Sequence, residues 1–225
     1  MCAVGTPDVS HPAGPTLFRT YDVAKNKEYN CTIWEAARAT SAAPTFFKRI
    51  KIGPPNSAVE YVDAALGFNN PIKEVIAEAA RVFVESSQVS CMVSIGTGQR
   101  GIVGYDKPDA FQKWLPTRLV DVLKKIATDC DKTAQEMEQR FKNFPHIYYR
   151  LNVDRGLELI SLDEWKRLGD VRHHTKSYMK LEALDRRVDQ LVNALLGSPE
   201  HQTCALGRLG SFHFQQVLKM TAYIW

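Results

Sequence analysis

The spacing of apolar and polar residues divides the first hundred residues into short strands and helices. A short apolar run at residues 2–4 comes first, and extended segments are predicted at residues 17–23, 46–52, 59–62 and 90–95. A short helix is predicted at residues 32–40, where Thr32 and Glu35 have capping-box spacing. Asn70 and Pro71 form a typical helix start. The apolar face of that helix is predicted to be Ile72, Val75, Ile76, Ala79, Ala80 and Phe83.

The order of strand, helix and strand across residues 59–95 predicts a βαβ unit, whose two strands would pair in parallel. Beyond it, helices are predicted at residues 119–127 and 130–144, and a strand at residues 147–153. Ser161 and Glu164 have the spacing of a second capping box. A closing helix over residues 181–195 ends at Gly197, and residues 198–225 show no clear element. The pattern predicts an α/β fold.

Composition narrows the class of protein only modestly. The 225 residues are 44% apolar and 24% charged, with a net charge of +4, which is typical of a globular protein. Five widely spaced cysteines form no Cys/His cluster, so a metal site is not expected. The sequence has no secretory signal pattern, no membrane-spanning apolar run and no nucleic-acid-binding module. We therefore expect a cytoplasmic protein, with a peripheral membrane location left open.

Asp63 is the leading candidate for chemistry because it follows the predicted strand at residues 59–62. In open parallel sheets, ligands bind at the carboxyl ends of strands, and a carboxylate there can accept a proton. The alternative for Asp63 is a turn or cap residue, which is the commoner role of aspartate at a strand end. Position alone leaves both interpretations open.

Three ordered segments make the pattern more specific. They are WEAARATSAAPTFF at residues 34–47, YVDAALGFNNP at residues 61–71 and VSIGTG at residues 93–98. In this order and spacing they resemble patatin-like phospholipases, the patatin/PNPLA family of lipid acyl hydrolases, and most closely the fungal type. The resemblance extends over about residues 1–197, and it implies a three-layer, doubly wound, mostly parallel sheet.

The resemblance also implies a mechanism. In that family a serine in a G-x-S-x-G elbow attacks the ester, an aspartate from a D-G-[GA] motif activates it, and a glycine-rich loop binds the oxyanion. Asp63 matches the aspartate, and Ala64 and Ala65 occupy the rest of its motif. The implied partners are a lipid acyl ester and a membrane surface, and no cofactor is expected. The implied biology is lipid degradation.

Two departures from the family pattern affect this expectation. The 225 residues contain no G-x-S-x-G, and the glycine-rich loop that the family carries near the start of its domain is not found. With the abrupt opening at Met1, this predicts a domain incomplete at its N-terminus: a partial domain at residues 1–197 and a tail at residues 198–225. In addition, Ala64 replaces the motif glycine. If that position needs a positive φ, alanine costs about 1–2 kcal/mol, and otherwise almost nothing.

Several other residues have both a functional and a structural interpretation. Arg38 is a candidate for binding a phosphate or a lipid headgroup, and the alternative is that it forms a structural ion pair. Asn69 and Asn70 are candidates for substrate contact, although helix capping also explains Asn70. The glycines of VSIGTG are interpreted as a tight turn, since no G-K-[ST] follows them. The aromatic and basic residues at 46–51 suit either a membrane interface or a half-buried strand.

Three hypotheses follow for function. The first is part of a lipid acyl hydrolase that retains the aspartate without the serine, and is therefore inactive alone. The second is a non-catalytic, degenerate patatin-like module for binding or signalling. The third is a chain that does not fold by itself, because missing strands would leave open sheet edges.

Overall fold

The computed structural model describes residues 2–5, 15–23, 30–43, 46–98, 130–157, 160, 164–209 and 216–221. These residues divide into two compact units. The first contains the described residues up to Pro71 together with Cys130, and the second contains those of 72–98 and from Asp131 onward. The predicted helix at residues 119–127 and the Ser161 part of the second capping box lie outside the described residues.

The first unit is built on an antiparallel sheet of four strands, in the order β2-β1-β4-β3. Its elements are β1 (Cys2–Gly5), β2 (Thr16–Leu17), α1 (Ile33–Thr40), β3 (Ile50–Ile52), β4 (Val59–Asp63) and the short α2 (Ala65–Phe68). A small core packs between sheet and helix: Ala3, Ala39, Ile52 and Tyr61, with Phe18, Cys31, Ile50 and Val59 against it.

The start of α1 confirms the predicted capping box. The Thr32 hydroxyl accepts a hydrogen bond from the Glu35 N–H at 3.4 Å, and the Glu35 carboxylate accepts one from the Thr32 N–H at 2.8 Å. These bonds satisfy N–H groups that the first helical turn leaves without partners. The Glu35 carboxylate also accepts the Thr32 hydroxyl at 2.7 Å, and the two hydrogen bonds that it accepts, from the Thr32 N–H and from the hydroxyl, lower the pKa of the Glu35 carboxyl below its ordinary value.

The second unit is a sheet with helices on both faces. Its elements are α3 (Ile72–Val82), β5 (Ser87–Ile95), α4 (residues 130–140, all but the first in this unit), β6 (Tyr148–Leu151), a 3-10 turn (Trp165–Arg167), α5 (Leu168–Met179), α6 (Glu182–Leu196), β7 (Cys204–Ala205), α7 (Leu206–Leu209) and β8 (Gln216–Thr221). The central strand β5 pairs in parallel with β6 and β8 and antiparallel with β7.

Both faces of β5 are buried, which explains its nearly continuous apolar sequence. One face packs Val89 and Met92 against α3, α4 and α7. The other face packs Cys91 and Val93 against Leu191 and Ala194 of α6. This unit therefore has the three layers of an α/β fold, and the predicted fold class is confirmed.

One prediction about pairing is wrong. The strands predicted at residues 59–62 and 90–95 were expected to pair in parallel, but β1 and β3 occupy both edges of β4, and both run antiparallel to it. The connection from β3 to β4 has only six residues, 53–58. Parallel strands need a connection of about a dozen residues or more, so this length permits only a hairpin. The mostly parallel sheet occurs around β5 instead.

Three smaller differences concern local elements. The strand predicted at residues 17–23 is limited to Thr16–Leu17. Ala80, predicted on the buried face of α3, is exposed, whereas Ile72, Ile76 and Ala79 are buried as expected. The segment after Ser198, for which no element was predicted, contributes β7, α7 and β8.

Candidate active site

Asp63 is the last residue of β4, at the end of the strand as the sequence predicts. The backbone fixes this end on two sides. Asp63 lies opposite Ala3 in the β1 register, and its N–H donates to the Ala42 carbonyl, just beyond α1, at 3.1 Å. Because the sheet around β4 is antiparallel, the general rule for parallel sheets does not support this site. The case for Asp63 depends on its motif and its local geometry.

The Asp63 carboxylate is held by the turn that follows it. Its Oδ1 accepts the Ala65 N–H at 2.8 Å. Burial raises the pKa of the Asp63 carboxyl above its ordinary value, and the Ala65 hydrogen bond acts in the opposite direction. An aspartate bonding the backbone two residues on is also a common turn stabiliser. The bond is therefore what a turn residue would make. It also orients the carboxylate, as a proton acceptor in an active site would require.

Replacement of the motif glycine by Ala64 causes no backbone strain in this structure. Ala64 has φ −76° and ψ 3°, and its side chain is buried. L-residues adopt negative φ readily, so the replacement of glycine by alanine at this position costs almost no free energy of folding. The left-handed position in this turn is instead Gly67, with φ +108°. Ala65 begins α2 and supplies the N–H that binds Asp63.

The two asparagines after α2 have different environments. The Asn69 side-chain amide donates to the Cys130 sulfur at 3.0 Å, so a protein partner occupies a group that was a candidate for substrate contact. Asn70 is buried directly before Pro71 and α3. Its capping role stays a prediction.

Arg38 makes structural contacts, and no ion pair of Arg38 occurs among the residues that the structure describes. Its Nη2 donates to the Lys48 carbonyl, and its guanidinium lies over the Phe47 ring at 5.8 Å from the centroid. These two contacts are to a carbonyl and to an aromatic ring. They tie α1 to the segment that leads into β3.

Close packing explains the glycines of the VSIGTG segment. A Cβ at Gly96 would collide with Asn152 Oδ1, and one at Gly98, which has φ +114°, would lie 2.8 Å from Leu157 Cδ1. The Gly98 N–H donates to Asn152 Oδ1 at 2.8 Å. This agrees with a tight turn after β5. Asn152 was missed by the sequence analysis, because its partner is 54 residues away and no local pattern marks it.

The described residues contain no group of three or more His, Cys, Asp or Glu side chains placed to bind a metal. His173 and His174 have ring centroids 5.5 Å apart and belong to no such cluster. A cavity of about 520 Å³ in the second unit is lined by basic and aromatic residues, among them Lys142, Phe144 and Arg187, and does not include Asp63. No helix in the described part of the chain is both long and apolar enough to cross a bilayer.

Three known proteins are similar to this chain over most of its length. It is 27% identical to the "85/88 kDa calcium-independent phospholipase A2" of Rattus norvegicus, covering 80% of this chain and 27% of that protein. The Mus musculus protein of the same name is 26% identical with the same coverage. "Phospholipase A I" of Arabidopsis thaliana is 28% identical, covering 71% of this chain and 13% of that protein. No solved structure matches this chain.

The chain thus spans about a quarter or less of the length of these relatives. The sequence model of the family described as "Patatin-like phospholipase" matches residues 3–76. That range includes α1, the β3–β4 hairpin and the Asp63 turn. The family match and the named relatives agree: this chain is similar to phospholipases, and its residues 3–76 match the patatin-like phospholipase family.

Proposed function

We propose that Asp63 is the aspartate of a serine–aspartate dyad that cleaves lipid acyl esters, and that this chain carries the aspartate without the serine. The observation that carries the proposal is the hydrogen bond from the Ala65 N–H to Asp63 Oδ1, at the end of β4 and inside the family-matched region. It holds the carboxylate at a defined place and in a defined orientation.

The local electrostatics suit a general base. A base is most effective when its pKa lies near the working pH, and burial moves the pKa of Asp63 upward, toward that range. In the proposed reaction the serine hydroxyl attacks the ester carbonyl while the aspartate accepts its proton. The alcohol leaves with a proton, and water then cleaves the acyl-serine ester.

The proposed substrate is the acyl ester of a phospholipid or acylglycerol. The three relatives named above carry the name phospholipase, which supports this class. Because an aspartate without a nucleophile forms no acyl-enzyme, the 225 residues alone are expected to be inactive. We further propose that the protein works from the water side of a membrane.

A second candidate function is a non-catalytic patatin-like binding or signalling module. The absence of a G-x-S-x-G from the sequence favours it. Ala64 does not favour it, because the negative φ at this position accepts alanine without strain.

The test compares the chain with a form extended by any in-frame upstream sequence that encodes a G-x-S-x-G. Turnover of a p-nitrophenyl ester is expected only from the extended form, and Asp63→Asn should reduce it by roughly 10³–10⁴-fold. Asp189→Asn, an exposed aspartate of α6, is the matched control and should leave turnover unchanged. Equal activity of the extended form with and without Asp63 would refute the dyad. Asp63-dependent turnover by the chain alone would refute the missing nucleophile.

A further inference from the structure

The cavity of about 520 Å³ in the second unit lies between the end of α4 and the first half of α6. Small-molecule sites usually have volumes of about 300–1,000 Å³. We call this space the α4–α6 cavity. Its first wall is one side of α6, where residues recur at spacings of three and four: Ala183, Arg186, Arg187 and Gln190.

The second wall of the cavity is the end of α4 and the turn that follows it. Glu138, Phe141 and Lys142 line the cavity and have the same spacing of three and four residues. The Phe141 N–H donates to the Met137 carbonyl at 2.9 Å, so the helical course continues past the last residue of α4. The end of α4 and one side of α6 therefore border the same space.

Aromatic side chains form the apolar part of the α4–α6 cavity. The rings of Phe141 and Tyr148 are stacked, with centroids 5.3 Å apart and an angle of 18° between their planes. Both residues are buried in the core of the second unit, which fixes the stack, and Phe144 packs against the same core. All three residues line the cavity. A ligand with an apolar group would remove apolar surface from water there.

Basic side chains dominate the charge of the α4–α6 cavity. Its described lining contains three cations and one carboxylate: Lys142, Arg186, Arg187 and Glu138. The net charge of this lining is therefore +2 when His146 is neutral. An anion placed among the three cations would relieve their mutual repulsion.

The two arginines are available to an anion in different ways. Arg187 is held in place, because its Nη2 donates to the Tyr148 carbonyl at 3.3 Å and its guanidinium lies 5.9 Å from the centroid of the Tyr149 ring. A guanidinium has five N–H donors, and this carbonyl takes one of them. Arg186 pairs with Glu182 at 3.5 Å, but both side chains are exposed, and such a pair contributes little.

We propose that the α4–α6 cavity binds a phosphate monoester that carries an apolar group. Such a phosphate has a charge of about −1.5 to −2 at neutral pH, which complements the charge of the lining. The planar forks of Arg186 and Arg187 match phosphate oxygens, and Lys142 adds a point charge. The apolar group packs on the aromatic part of the cavity. No residue of the candidate active site lines this cavity, so the binding does not rest on the proposed ester hydrolysis.

The experiment is isothermal titration calorimetry of the chain with four probes: phenyl phosphate, hexyl phosphate, inorganic phosphate and phenol. Both organic phosphates are expected to bind more tightly than inorganic phosphate, and phenol, which has no charge, is expected to bind weakest. Raising the salt concentration should weaken all three phosphates, because salt screens exposed charges. Tighter binding of phenyl phosphate than of hexyl phosphate would support the site with an aromatic ligand, and the reverse order would support it with a ligand that has a lipid-like chain.

Charge variants of the lining test the place of binding. Arg186→Gln and Arg187→Gln should each weaken phenyl phosphate about tenfold, the effect of losing a hydrogen bond to a charged group. Glu138→Gln should strengthen it about threefold, because a carboxylate repels the phosphate. Arg186 is exposed, so its replacement tests the site even if Arg187→Gln disturbs folding. A circular dichroism melt checks that each variant folds.

Arg172→Gln is the matched control, since Arg172 is an exposed arginine of α5 that does not line the cavity. It should leave phenyl phosphate binding unchanged. Equal weakening by Arg172→Gln and Arg186→Gln would indicate attraction by the general surface charge and would overturn the proposal. Inorganic phosphate binding as tightly as both organic phosphates would also overturn it, because the aromatic part of the cavity would then contribute nothing.

Discussion

Asp63 Oδ1 and the Ala65 backbone N–H form a hydrogen bond of 2.8 Å across the turn that ends β4. Ala64, between them, keeps a negative φ, so the turn needs no glycine at this point. The bond favours the charged carboxylate, whereas burial of Asp63 favours the neutral acid and is the stronger influence. The same residue is therefore well positioned and electrostatically unfavourable when ionised.

Asp63→Asn is expected to stabilise the chain at neutral pH. The amide keeps an oxygen for the Ala65 N–H and carries no charge to desolvate. Because the pKa of Asp63 is raised by folding, the stabilising contribution of the acid is present below its ordinary pKa and is lost as pH rises through the folded value. Thermal unfolding across pH should show a gain in Tm that is largest at neutral pH and shrinks toward acid.

The control for this prediction is Asp189→Asn, which removes an equal charge from an exposed site on α6. Its Tm should follow that of the parent chain at every pH. A fall in Tm at neutral pH for Asp63→Asn alone would mean that an unrecognised cation stabilises the carboxylate.

Gly67→Ala should be destabilising through backbone strain alone. Gly67 has φ +108°, and a Cβ there would meet nothing within 4 Å, so no steric clash contributes. A non-glycine residue at such a φ costs about 1–3 kcal/mol. Gly169→Ala in α5 is the matched control, since that Cβ also meets nothing within 4 Å. It should stabilise the chain by about 0.5–1 kcal/mol in urea unfolding. Equal effects of the two substitutions would contradict the strain argument.

Local elements were predictable from sequence where their causes are local. The Thr32–Glu35 capping box sets the start of α1, and Gly197, with φ +70°, ends α6. Both features depend on residues within one helical turn. The position of Asp63 at a strand end was also predictable from local sequence, because the predicted strand at residues 59–62 directly precedes it.

Strand partners were not predictable, because they depend on distant segments. The sequence between residues 59 and 95 reads as strand, helix and strand, yet nothing in it shows that β1 occupies one edge of β4. Some contacts of the candidate site also join residues that are distant in the sequence. Asn69 binds Cys130, 61 residues away, and Arg38 binds the Lys48 carbonyl across the connection to β3.

Gly96→Ala is expected to displace Asn152 from the turn after β5. The new methyl group would overlap Asn152 Oδ1, the same atom that accepts the Gly98 N–H at 2.8 Å. Losing a partly buried hydrogen bond and forcing a side chain aside should cost about 1–3 kcal/mol in urea unfolding. In an Asn152→Ala background the same substitution should cost less, because only the flexible end of Arg150, 2.5 Å from the new methyl group, would still have to move. Additive effects in this double-mutant cycle would rule out the proposed collision.

Leu206→Ala tests whether the last part of the chain belongs to the core of the second unit. Leu206 is 3% exposed and packs in the cluster that contains Val89 and Met92 of β5. Truncating a buried leucine costs about 2–5 kcal/mol, through lost apolar burial and the cavity that remains. Leu196→Ala, at a position 73% exposed, removes the same atoms and should change stability by less than about 0.5 kcal/mol. Similar small losses in both variants would show that residues after Ser198 are a dispensable tail. A large loss only in Leu206→Ala would place them in the folded unit, where β7 and β8 pair with β5.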